Sequence, residues 1–173
     1  MRTDQDFDLQ ALYAAIDEKR RSRSMTWDAV AAAINAQFRD VPGHRPIAKS
    51  TITRLRTEKI SGAGPLQMLL WLGRTPESFV PGFRNADGKR FRLRQLSTKQ
   101  ILRFDTKALY AALNAQRQAR AMNWRQVASE MGMSSSNPLT NLARGGLIGF
   151  PIVVRIVRWL GQPAAAFTRA SDR

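Results

Sequence analysis

Two short stretches carry polar and cationic side chains at helical spacing around an apolar pair: KSTITRLR, from Lys49 to Arg56, and SSNPLTNLAR, from Ser135 to Arg144. In the first, Ile52 and Leu55 are three apart and share an inward face. That leaves Lys49, Ser50, Thr53, Arg54 and Arg56 largely outside, with Thr51 beside them. In the second, the outward set is Ser135, Ser136, Asn137, Thr140, Asn141 and Arg144, with Pro138 acceptable as the first residue of the helix. Hydroxyls, amides and guanidinium groups in such an array bond phosphate oxygens and base edges. The chemistry they offer is recognition, and the second array is much the less cationic.

Candidates for catalysis or metal binding are few. His44 is the only histidine and the chain has no cysteine, so a zinc site lacks its ligands. A histidine in this loop is expected near a phosphate or in solvent. Ser134, Ser135 and Ser136 have no partner base within a nucleophile motif, and read as turn and cap residues. GAGP, from Gly62, is followed by no Gly-Lys-Ser or Gly-Lys-Thr and instead introduces a helix at Gly64-Pro65. No enzyme, cofactor or metal is expected.

Charge points to a polyanionic partner. The chain of 173 residues holds 28 Lys and Arg against 13 Asp and Glu, a net charge of +15, with enough apolar content for packed cores. The segment 81–103 concentrates this charge, with seven Lys or Arg against one Asp. Within it, Lys89, Arg90, Arg92 and Arg94 alternate with Phe91 and Leu93 after Asp87-Gly88, which suits a short β-hairpin or a solvated connector. Either form binds phosphate. The N-terminal sequence lacks a signal-peptide pattern and no apolar run is long enough to span a bilayer, so a cytoplasmic protein with no membrane association is expected.

The elements that must position these side chains are written twice. Shifted by 97 positions, Phe7–Ala31 matches Phe104–Ala128 at thirteen of twenty-five residues, which marks a tandem duplication. Each copy opens with Phe-Asp, where Asp8 or Asp105 caps a helix. Thr26 or Asn123 caps a second helix, and Gln126 completes a capping box. Trp27, Trp71, Trp124 and Trp159 sit in helical patterns beside apolar neighbours and are expected in the cores. Trp27 to Leu55 spans 28 residues and Trp124 to Leu142 only 18, so the first copy carries ten extra residues, most of them in a Pro- and Gly-bearing loop over 37–48.

This order of a helix, "MTW..VA", a turn, "STITRL" and then "LLWLGRTPESF" resembles the lambda-repressor-like (Cro/C1, or XRE) helix-turn-helix family, over roughly 7–80 and 104–167. The resemblance implies an all-α fold of two tandem units, each of four to five short helices. It also implies that residues 48–57 and 137–144 are helices read into the major groove of double-stranded DNA. Arg56 and Ala143 stand where the family commonly has an acidic residue. The expected organisation is a first unit over 1–80, a basic linker over 81–103 and a second unit over 104–173. The expected function is sequence-specific transcriptional regulation of bacterial or phage type, on the nucleoid, with a homodimer or a protein partner as a further association. Two alternatives stand beside it: a nonspecific nucleoid or RNA-binding protein, and a protein-interaction adaptor or antitoxin with one degenerate unit.

Overall fold

Asp8 accepts a hydrogen bond from Ala11 N at 2.9 Å and starts α1 (Leu9–Ser22), whose Leu9, Leu12 and Ile16 are buried on one face. Thr26 caps α2 (Trp27–Ala36) in the same manner through Ala29 N. A long connection leads to α3 (Lys49–Thr53), prolonged by a 3-10 turn over Arg54–Thr57, and α4 (Gly64–Leu72) follows. These observations come from a computed structural model that describes residues 7–57, 64–81, 93–94, 96–145 and 148–172.

The second half repeats the plan. Asp105 accepts from Ala108 N at 3.0 Å to start α5 (Thr106–Ala119), and Asn123 with Gln126 forms a capping box at α6 (Trp124–Glu130). α7 (Asn137–Asn141), with a 3-10 turn over Leu142–Arg144, and α8 (Phe150–Leu160) complete it. The repeat extends to backbone strain. Ser24 and Ala121, 97 positions apart, both have positive φ, 52° and 50°, in the turn before the second helix of each half. In each, an arginine from the preceding helix ties the turn down: Arg20 donates to Met25 O and Arg117 to Met122 O.

The chain is mostly helical but not all-α. β1 (Ile101–Phe104) pairs antiparallel with β2 (Thr168–Ser171), Ile101 opposite Ser171 and Phe104 opposite Thr168. The boundary expected at 103 thus falls inside a strand. The hairpin expected around Asp87-Gly88 lies outside the described residues, and Leu93 and Arg94 at its end are not in a strand.

The halves share apolar contacts instead of hanging on a spacer. Phe150 and Val154 of α8, together with Ile101 and Leu102 of β1, belong to the core built by α1–α4. Phe7 packs edge-on against Phe150 at 4.6 Å between ring centres, and Phe104 lies 5.6 Å from the same ring. Buried Gln67 of α4 donates to Leu102 O, and buried Glu77 accepts from Ala164 N. A second core gathers Leu109, Leu113, Val127, Leu139, Leu142, Val153 and Ile156. No helix among the described residues is long and apolar enough to cross a membrane.

Candidate nucleic-acid interface

α3 is anchored by burial of Ile52 and Leu55, and its outward side chains follow from that register. Lys49, Ser50, Arg54 and Arg56 are exposed, while Thr51 and Thr53 are half-buried. Thr53 donates its hydroxyl proton to Ser50 O at 3.2 Å, which spends that donor within the helix. Lys49 Nζ lies 3.0 Å from Asp28 Oδ2 at the start of α2. Both groups are well exposed, so the pair contributes little to stability and opens readily toward a phosphate. The Arg56 guanidinium lies 5.7 Å from the centre of the Tyr13 ring and is steered by it.

What places α3 is the ten-residue insertion. Asn35, at the end of α2, clamps the backbone of Ile47 in both directions: Ile47 N donates to Asn35 Oδ1 at 2.8 Å and Asn35 Nδ2 donates to Ile47 O at 2.9 Å. Phe38, Val41 and Ile47 are buried, so this loop is a folded strap with apolar anchors of its own. It is also tied to the segment before β1, because Asp40 N donates to Thr98 O at 3.0 Å and the Thr98 hydroxyl donates to the Asp40 carboxylate. His44 is not in open solvent as expected for a loop histidine. Its ring stands edge-on to Phe38 at 4.3 Å, with Nε2 buried and unpaired. Burial, reinforced by the Arg103 charge, lowers its pKa below the ordinary 6.5.

α7 repeats the arrangement with different chemistry. Leu139 and Leu142 point inward, and Asn137, Asn141 and Arg144 are exposed. Ser135 accepts from Asn137 N at 3.2 Å, the turn role expected of the serine run, whereas half-buried Ser136, at the N-cap, makes no side-chain cap bond. Thr140 donates to Asn137 O at 3.1 Å, the counterpart of the Thr53 bond. Asn137 and Asn141, one turn apart, flank a shallow groove of about 280 Å³ floored by Leu142, Ile148 and Ile152. Of the basic segment, Arg94 is exposed, and Lys89, Arg90 and Arg92 lie outside the described residues.

The tryptophans are not the core residues their patterns imply. All four are half-buried at the rim of the cores. Trp27 stacks on Tyr13 at 5.3 Å, with the Arg20 guanidinium 4.8 Å from the indole centre. Trp124 stacks on Tyr110 at 5.6 Å, with Arg117 at 4.8 Å. Lys19 covers Trp71 and Arg120 covers Trp159. Sequence reasoning missed these cations, although Arg20 and Arg117 are matched residues of the repeat and that match was the available signal. In the second half Glu130 joins Arg120 to Trp159 Nε1, and the Arg120 and Trp159 hydrogen bonds hold its carboxyl below the usual range.

Two polar five-residue helices, each packed beside the capped second helix of its half, are therefore a repeated feature among the described residues. No family model matches the chain, no curated protein matches it, and no solved structure matches it, so its functional reading rests on this repeated geometry and on charge.

Proposed function

We propose that this chain is a sequence-specific DNA-binding transcriptional regulator of bacterial or phage type, with two lambda-repressor-like helix-turn-helix units on one polypeptide. The observation that carries the reading is the duplication of a short helix, α3 and α7, that turns two apolar residues inward and a polar row outward. In this reading Lys49, Arg54, Arg56 and Arg144 displace counterions from phosphates, while Ser50, Asn137 and Asn141 bond base edges. The net charge of +15 supplies the long-range attraction. A covalent pair of heads takes the place of the usual dimer, and its site of action is the nucleoid.

Selection from random duplex DNA tests the reading. A defined consensus with two half-elements supports it; enrichment with no consensus favours a nonspecific nucleic-acid binder. One observation favours a second reading for α7 alone: its outward row has a single cation beside an apolar groove, which suits a protein contact.

A further inference from the structure

The insertion that lengthens the first half also builds a pocket. Its floor is Phe38 and Val41, both buried, and its walls are Ala32, Asn35 and Ala36 of α2 facing His44 and Pro46 of the strap, with Arg39 at the mouth. The volume is about 290 Å³, at the small end for a ligand site. The charge around it is uneven. Arg39 and Arg45 are exposed on the strap, and Arg103 stands near enough to His44 to act on its imidazole; the acidic group beside them, Asp40, accepts from the Thr98 hydroxyl and lies 3.8 Å from Arg39 Nε through the same oxygen, an exposed pair that opens at little cost and leaves the mouth cationic on balance. An apolar floor under a cationic mouth suits a molecule with an apolar body and one anionic head.

We propose that this pocket binds a small apolar carboxylate, such as an aryl or branched aliphatic acid, with its body on Phe38 and Val41 and its carboxylate at Arg39. The position has a consequence. Asn35 lines the pocket and is the residue whose amide grips Ile47, two residues before α3 begins. An occupant therefore touches the clamp that sets α3, and it touches the strap that reaches the segment before β1. That this changes duplex binding rests on the function proposed above; the binding of the acid does not.

Calorimetric titration of the full chain with phenylacetate and with its neutral isostere, phenylacetamide, tests both parts. Phenylacetate is expected to bind saturably. The amide and the Arg39→Gln variant should each be weaker by about tenfold, the equivalent of one charge-assisted contact. Ala36→Trp and Ala32→Trp, at exposed positions of α2 on the pocket wall, should abolish binding while thermal melting shows the fold retained. Absence of saturable phenylacetate binding below about 10 mM, a weaker limit than any useful small-ligand site, overturns the proposal. So does equal affinity for the amide, or unchanged binding in both tryptophan variants. In a duplex-binding assay, saturating phenylacetate should shift the affinity for selected DNA. An unchanged affinity overturns the coupling alone, and failure of all duplex binding overturns the proposed function while leaving the titration to decide the pocket.

Discussion

At the scale of single residues, aromatic rings and cations are used together, twice. Each Tyr-Trp-Arg stack joins the first helix of a half to the second, so its loss loosens the frame on which the polar helix sits. Trp27→Ala is expected to lower stability by about 2 kcal/mol, less than a fully buried ring would cost, with thermal melting as the readout. Loss of DNA binding at unchanged melting would instead assign the ring to base stacking. His44 gives a pH dependence. Its folded pKa lies below its unfolded one, so the unfolded chain takes up the proton first and stability falls as pH drops below about 6.5. His44→Gln should flatten the melting profile between that point and the range where carboxylates titrate. Neither the burial of His44 nor the rim position of the tryptophans was legible in the sequence. Both depend on where a strap with Pro42, Gly43 and Pro46 folds back, and no periodicity encodes that.

At the scale of elements, what could be read was whatever is local. The caps at Asp8, Thr26, Asp105 and Asn123 depend on side chains within three residues, and each is formed. The helix start at Gly64-Pro65 is likewise formed. β1 and β2 were not legible. ILRF and TRAS are four residues long, lack a clear alternation and find each other across more than sixty residues, so only tertiary packing specifies their register. Two element-scale outcomes are expected. Asn35→Ala leaves the Ile47 N–H and C=O without their partner and should cost about 1–3 kcal/mol, read by melting. Ala121→Gly relieves a left-handed residue that Cβ disfavours and should raise stability by roughly 0.5–1 kcal/mol, net of the extra freedom glycine gives the unfolded chain.

At the scale of the whole molecule, the duplication was plain in the sequence and the way the copies join was not. Phe7 and Phe150 each fit a local role, one beside a helix cap and the other in a helix, and nothing in their spacing says that they meet. Because they do, residues 1–80 alone would lack Ile101, Leu102, Phe150 and Val154 of their own core. Phe150→Ala should therefore destabilise the whole chain by about 3 kcal/mol while keeping a single melting transition; two separate transitions would show independent units. The same joint holds α3 and α7 in one relation, so a two-headed reader should accept one half-site spacing. Two grooves on one face of B-DNA are about 10 base pairs apart, or a multiple of that. The most direct measurement is footprinting of the full chain on its selected duplex, with Arg54→Ala and Asn141→Ala alongside. Two protected half-sites at that separation are expected, with Arg54→Ala losing one and Asn141→Ala losing the other. A single protected stretch that Asn141→Ala leaves intact at wild-type affinity would contradict the two-headed reading.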